Sequence, residues 1–289
     1  MTTTLKIDFV SDIACPWCAV GLSSLEKALE RLQGEVQAEL HFQPFELNPQ
    51  MPPGGQDLGE HLTEKYGSTP EQQAQIRQTI AARGAEVGFD FAPGGRGRVY
   101  NTFNAHRLLH WAAGQGEGLQ RALKKALLAS YQGRAECIED DAVLLQAVQT
   151  AGLSVDAARE VLASEAFADE VRTQERYYQQ AGIHSVPAVI INDRHLISGG
   201  QPAAVFAKAC EVRVGVCRAF GTIHHKQASG VETTSLQQGI QLLLVSAVWH
   251  GYEFVEEWCD NHGINKQEEC VKNHPPQPCP EPAQGGGHI

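Results

Sequence analysis

Cys15-Pro16-Trp17-Cys18 narrows the folds open to this chain more than any other stretch of it. Ahead of the motif, Leu5 to Val10 alternates apolar and polar residues and predicts a strand. Behind it, Val20, Leu22, Leu25, Leu29 and Leu32 recur at near-helical spacing, and Gly34 offers a C-terminal stop. A C-x-x-C at the start of a helix brings both sulfurs onto one turn, close enough to bridge. Unpaired N–H groups and the positive end of the helix dipole favour a thiolate there. Thiolate is the nucleophile of disulfide exchange. Pro16 at the first helical position sacrifices no hydrogen bond and fixes φ. Trp17 supplies a flat apolar surface beside the sulfur. Cys15, nearer the helix start and solvent, is expected to attack or be attacked. Cys18, a turn later and more buried, is expected to resolve the mixed disulfide.

A single C-x-x-C is also half of a zinc site, which needs a second ligand pair. Cys259 with His262 is the nearest candidate, and its spacing matches no common pattern. The strand–helix context favours redox chemistry, so no metal is expected. Eight cysteines in 289 residues do not make a small disulfide scaffold. A net charge of −11 disfavours nucleic acid as the main partner. The longest apolar run, Leu242 to Trp249, falls short of the ~20 residues needed to span a bilayer. The first residues lack an apolar signal-peptide core and carry Asp8 and Asp12 early, so a cytoplasmic location with no membrane partner is expected.

Val36 to Leu47 predicts a second strand, broken by Asn48-Pro49 and the Pro52-Pro53-Gly54-Gly55 run. Residues 56–150 read as mostly helical. Thr69, Pro70 and Gln72 form an N-cap, an N1 proline and a capping box. Ala92 to Arg98 is a Gly-rich loop with two arginines, and Asn101 to Ala113 predicts a helix with Phe103, Leu108 and Trp111 inward. Asp140 or Asp141 starts another helix, stopped by Gly152, and Ser154 and Ser164 are placed to cap the next two. Val186-Pro187-Ala188-Val189-Ile190-Ile191 is a buried-strand signal. Asn192-Asp193 then turns into a partner strand, and a last helix runs from about Pro202 to Cys210. Without the helical block, a βαβ unit feeds a ββα unit, an α/β layer architecture. In the part from 213 onward, Ser235 to Cys259 has an amphipathic pattern, and the Pro- and Gly-rich end from Pro275 to Gly287 predicts disorder.

Proline inside a strand is disfavoured, and a cis peptide is one solution. A cis Pro187 loop facing Cys15 would leave the Val186 backbone free to pair with an extended substrate. A trans proline at a strand edge is the alternative. Asp12, just before the motif, either shuttles the Cys18 proton or caps the first helical turn. His106 and Arg107 either line the cleft between domains or form surface salt bridges.

From about residue 4 to 210 the chain resembles the DsbA-like branch of the thioredoxin superfamily, and within it the FrnE-type subgroup of dithiol–disulfide isomerases. The residues carrying the likeness are Ser11-Asp12-Ile13-Ala14-Cys15-Pro16-Trp17-Cys18 and Pro44-Phe45-Glu46-Leu47-Asn48-Pro49. Asn101-Thr102-Phe103-Asn104-Ala105-His106-Arg107-Leu108 and Gly182-Ile183-His184-Ser185-Val186-Pro187 complete it. The resemblance implies an α/β thioredoxin-like fold with an inserted all-helical domain. Residues 1–50 and 153–212 would form the thioredoxin-like part, 51–152 the insertion, and 213–289 an extension outside the family pattern. Cys15 would be the nucleophile, Cys18 the resolving thiol and Pro187 the cis proline, with Pro16, Trp17 and Val186 meeting the substrate. Some members carry a further cysteine pair. Here Cys137 stands alone in the insertion, and Cys210/Cys217 and Cys270/Cys279 lie towards the end.

The expected activity is therefore thiol–disulfide exchange without a cofactor. It would act on disulfide-containing proteins or small thiols, with glutathione or a thioredoxin system resetting it. Two alternatives stand beside it. Kappa-class glutathione transferases and 2-hydroxychromene-2-carboxylate isomerases share this layout but typically carry serine where Cys15 stands. A holdase or binding module using the apolar surface around Trp17 and the helical block would still suppress aggregation of a client after Cys15→Ala.

Overall fold

The computed structural model describes residues 2–227, of which 216–227 are helical backbone. The chain divides into two units, Met1–Ala219 and Phe220–Ile289, and the first holds every described element except the end of the last helix. The predicted features at Ser235–Cys259 and Pro275–Gly287 lie outside the described residues.

Strand β1 (Thr3–Ser11) is the centre of a four-stranded sheet of order β2-β1-β5-β6. It runs parallel to β2 (Val36–Pro44) and antiparallel to β5 (Ala188–Ile191), which pairs with β6 (His195–Ser198). Helix α1 (Pro16–Arg31) is the crossover between the parallel strands. Of the periodic set read from the sequence it buries Val20, Leu22 and Leu25, with Leu29 half-buried, and it also buries Cys18, Ala19 and Ala28. Gly34 beyond its end has φ +90°, the left-handed turn that leads back into β2. Leu5, Ile7 and Phe9 alternate along one face of β1 and are fully buried. The Phe9 ring meets Phe42 across the pair at 5.8 Å. β2 is shorter than the predicted Val36–Leu47 because Pro44, lacking an N–H, ends the ladder.

The hairpin turn behaves as its residues require. Asn192 and Asp193 have φ of 51° and 56°, the left-handed pair at the centre of a turn that the Arg194 N–H closes on the Ile191 carbonyl at 3.2 Å. The Asn192 side chain also accepts from the Lys6 N–H at 3.0 Å, locking the turn onto β1. At the other edge, Gln120 occupies β2. Its amide accepts from the Phe42 N–H and donates to the Phe42 carbonyl, both at 3.0 Å, so a side chain stands where another strand would pair.

Between β2 and β5 lie one π-helical turn (Ala129–Gly133) and seven α-helices: α2 (Leu58–Tyr66), α3 (Pro70–Val87), α4 (Phe103–Ala113), α5 (Leu119–Leu128), α6 (Asp141–Thr150), α7 (Val155–Leu162) and α8 (Ala168–Gln180). Thr69 and Gln72 form the reciprocal capping box, with Pro70 in the first turn. Asp140 and Ser154 cap α6 and α7. Two departures from expectation are local. Gln56–Asp57 (β3) and Arg98–Val99 (β4) pair as a short ribbon inside the helical block. Ser164 does not cap α8: its hydroxyl accepts from the Ala166 N–H at 3.3 Å and donates back to the Glu160 carbonyl at 2.8 Å, but the helix starts only after Phe167. The last helix, α9 (Ala203–Gln227), runs well beyond the expected Cys210. Apolar packing is continuous from α1 and the sheet into α4, α5 and α6. Among the described residues no helix is long and apolar enough to cross a membrane.

Candidate active site

β1 ends at Ser11, and the next four residues turn the chain into α1. Cys15 is the N-cap residue with extended φ/ψ, Pro16 is the first helical residue, and the Cys18 N–H closes the first turn on the Cys15 carbonyl at 3.1 Å. Both cysteines are free thiols. Cys15 is 5% exposed and Cys18 fully buried. Their ionisation is driven in opposite directions. The Cys18 thiol, as hydrogen-bond donor, holds the Cys15 pKa below its ordinary value, helped by the Cys18 N–H and the Arg96 charge against burial and the Asp12 carboxylate. Burial pushes Cys18 well above the usual thiol range, and the neighbouring Cys15 pushes it further.

The Cys15 thiol donates to the Val186 carbonyl at 3.4 Å. The Val186–Pro187 peptide is cis. Two glycines let this loop close on α1. A Cβ on Gly21 would lie 3.0 Å from Pro187 Cγ, and one on Gly200 would lie 2.9 Å from the Trp17 carbonyl. Pro16, Trp17 and Val186 are half-buried around the cysteine, while Pro187 is buried. The sequence marks Gly199-Gly200 only as the lead into the last helix and gives Gly21 no mark, because nothing local shows which helix face a distant loop will touch.

Asp12 is fully buried behind the turn. Its Oδ1 accepts from the Ala14 N–H at 3.0 Å and its Oδ2 from the Leu47 N–H at 2.7 Å, with His106 Nε2 3.4 Å from Oδ1. Burial alone would raise its pKa. The His106 ring against Oδ1 and the two backbone donors outweigh that and hold the carboxyl low. Asp12 caps no turn of α1, since Ala14 precedes the helix and no side chain caps it. His106 and Arg107 form no surface salt bridge, both being buried. His106 faces Asp12. Arg107 points away, clamping the carbonyls of Val161, Ser164 and Ala166 between α7 and α8.

Three further residues reach the site: Arg96, whose loop the sequence marks but not its role, and Gln132 and Lys124, which carry no sequence signal. Arg96, from the Gly-rich loop, donates to the Ala14 carbonyl and lies over the Tyr131 ring at 4.9 Å. Gln132 donates to the Ile13 carbonyl at 2.7 Å. Lys124 on α5 is fully buried. Elsewhere, Cys210 is buried in α9, and desolvation raises its pKa to about 11, which makes it a poor nucleophile. Among the described residues no three His, Cys, Asp or Glu side chains are grouped to hold a metal ion.

A family model described as the DSBA-like thioredoxin domain matches residues 6–211. The chain belongs to that family. Its members are thiol oxidoreductases and isomerases, and this DSBA-like chain has their fold. It is 35% identical to a probable DsbA oxidoreductase from Streptomyces coelicolor, over 71% of this chain and 88% of that one, with a TM-score of 0.66. It is 26% identical to the YwbO protein of Bacillus subtilis (strain 168) over 207 residues, 71% of this chain and 96% of that protein. Cytosolic disulfide reductase DsbM from Pseudomonas aeruginosa, solved with GSH, is similar in fold, with 17% identity, a TM-score of 0.50, and 72% and 98% of the two chains covered.

Proposed function

We propose that this chain carries out dithiol–disulfide exchange through Cys15 and Cys18. The observation that carries the reading is the pair of opposed thiols on one helical turn. Cys15 is pulled towards thiolate at the edge of the site, and Cys18 is held protonated beneath it. Cys15 thiolate attacks a substrate disulfide and forms a mixed disulfide. Cys18 then displaces the second substrate thiol and closes the Cys15–Cys18 bond. An extended substrate pairs with the Val186 backbone, whose carbonyl already accepts from Cys15. Trp17, Pro16 and Pro187 supply the apolar surface around the bond.

Membership of the FrnE-type subgroup is part of the proposal. Its support is that each of the four sequence motifs sends a residue to one place. Asp12 meets Leu47 and His106, and Cys15 meets Val186. We assign the exchange chemistry to 1–50 and 153–212 and the wall behind it to 51–152. Disulfide-containing proteins and small disulfides are the substrates, in the cytoplasm. Glutathione or a thioredoxin system resets the pair, and no cofactor takes part.

The test is the redox potential of the pair, by equilibration in glutathione buffers with Cys15→Ser as control. A reversible two-electron couple that vanishes in the control supports the reading. A potential of about −120 to −180 mV marks a disulfide donor or isomerase, and one near about −270 mV a reductase. Absence of the couple overturns the reading. Activity towards a glutathione-dependent small-molecule isomerisation that survives Cys15→Ser would put the transferase-like alternative in its place.

A further inference from the structure

Lys124 is the one fully buried lysine among the described residues, and its Nζ meets no hydrogen-bond acceptor. A lone ammonium in an apolar interior is costly, and such groups are found paired or neutral. The other cations of α5 do not explain it. Arg121 and Lys125 face outward and share the Glu26 carboxylate of α1. Lys124 is instead fully buried, on the helix that contributes Leu123 and Leu127 to the core containing both active-site cysteines.

The groups acting on it are Cys18 first, then Asp12 and Cys15. His106 of α4 stands behind Asp12, and Arg96 of the Gly-rich loop acts on Cys15. Tyr131, after α5, donates to the Arg98 carbonyl. From β2 and α6, the other elements packed on α5, no ionisable side chain acts on Lys124. Burial lowers its pKa to about 8, so amine and ammonium coexist near neutral pH.

The resolving step needs such a group. Cys18 is a buried thiol that must become a thiolate before it attacks. Asp12 is poorly suited to take the proton. Both its oxygens already accept backbone N–H bonds, His106 stands against one of them, and the carboxyl is held low.

We propose that Lys124 accepts the Cys18 proton in the resolving step, an inference that rests on the exchange reading above. Once the mixed disulfide brings the Cys18 thiol within hydrogen-bond reach of Nζ, directly or through one water, the neutral amine takes its proton and becomes ammonium. The Cys18 sulfur pair forms the bond to Cys15 Sγ, and the bond from Cys15 Sγ to the substrate sulfur breaks. Its electron pair leaves as substrate thiolate. The two cysteines are oxidised, the substrate disulfide is reduced, and the Lys124 proton passes to the departing thiolate or to water.

Stopped-flow mixing of the reduced full chain with a substoichiometric amount of Ellman's reagent separates the steps. The first release of thionitrobenzoate reports Cys15 attack and the second reports Cys18 resolution. Cys18→Ala supplies the baseline for other thiols. If wild type shows no second release above that baseline, the exchange reading itself fails. If it does, Lys124→Met should slow the second release by at least about a hundredfold at neutral pH, the lower end of acid–base catalysis. The wild-type inflection near pH 8 should also disappear, leaving a rate proportional to hydroxide. Lys124→Arg keeps the charge but takes no proton in this range, and should be equally slow. Unchanged rates in both variants overturn the proposal, as does full rescue by arginine, which would make Lys124 a fixed charge. Should neither variant fold, the wild-type Lys124 side-chain carbon resonance decides. A titration midpoint near 8 supports the role, and one near the ordinary lysine value of about 10.4 overturns it.

Discussion

The two sides of the Cys15–Cys18 turn come from different parts of the chain and work to opposite electrostatic ends. The outer side is Cys15, the Val186 carbonyl, Trp17 and the cis Pro187 loop, all from segments around the sheet. It is held close by two glycines, Gly21 and Gly200. The inner side is Cys18 and Asp12, walled by His106, Lys124 and Gln132 from the helical block. A thiolate is favoured outside and disfavoured inside, although the two sulfurs sit one helical turn apart. Burial disfavours the thiolate at both sulfurs, so it is the hydrogen bond from the Cys18 thiol, with the Cys18 N–H and the Arg96 charge, that sets Cys15 apart as attacker and leaves Cys18 as resolver.

The sharpest way to break this comparison is to remove each sulfur in turn. Cys15→Ala should reduce disulfide exchange to the uncatalysed background. Cys18→Ala should keep the attack and accumulate a mixed disulfide at Cys15, visible by mass spectrometry of a reaction with oxidised glutathione. Its Cys15 should also need higher pH for alkylation by iodoacetamide, because the Cys18 hydrogen bond is the main cause of the lowered pKa. Stable adducts on Cys18 in the Cys15→Ala variant would reverse the assignment of sides.

The inner pocket should respond to its two buried charges with opposite signs. Asp12→Asn replaces a carboxylate that accepts two backbone N–H bonds and faces His106, and should cost about 3 kcal/mol. Asp12 has a lower pKa folded than unfolded. Its contribution is therefore complete above the unfolded value of about 3.9 and is lost as pH falls through the folded value. Urea melts of variant and wild type should converge in acid. Lys124→Met should instead stabilise at pH 7, by up to about 3 kcal/mol for a pKa of about 8 against 10.5. The folded state binds fewer protons there, so wild-type stability rises between those two pH values and the gain fades towards the upper one. A destabilised Lys124→Met at pH 7 would mean the ammonium is well paired in solution.

The outer side was legible because its signal is local. A strand, C-P-W-C and a helix are contiguous in the chain, and Val186-Pro187 carries its own backbone restriction. Capping at Thr69, Asp140 and Ser154 and the Asn192-Asp193 turn were legible for the same reason. The inner side was not. Lys124 sits two positions before an apolar pair and beside Lys125, a pattern that reads as a solvated stripe until α5 is docked on α1. Arg96 lay in a recognised loop, yet which carbonyl it reaches depends on a fold spanning 82 residues of sequence. Arg107 and His106 are neighbours with divergent tasks, which no periodicity separates. Ser164 failed as a cap because α8 starts only after Phe167, while the Ser164 hydroxyl accepts from the Ala166 N–H ahead of the helix.

The smallest effect belongs to the residue that joins the two sides. Arg96 leaves the helical block and donates to the Ala14 carbonyl, one residue from the nucleophile, and its charge favours the Cys15 thiolate. The guanidinium is half-buried, so solvent screens it and the charge contributes about 0.2–1 kcal/mol to that thiolate. Arg96→Met keeps a side chain to cover Tyr131 while removing the charge and the donor. Alkylation of Cys15 at pH 7 should slow by no more than about fivefold, with the inflection moved to higher pH. Stability should fall by about 1.5–3 kcal/mol through the lost charged hydrogen bond. The ratio of the two effects is the informative quantity. A large change in alkylation with little loss of stability would move control of the Cys15 thiolate from Cys18 to Arg96. It would also make the helical block a direct partner in the outer chemistry rather than the wall behind it.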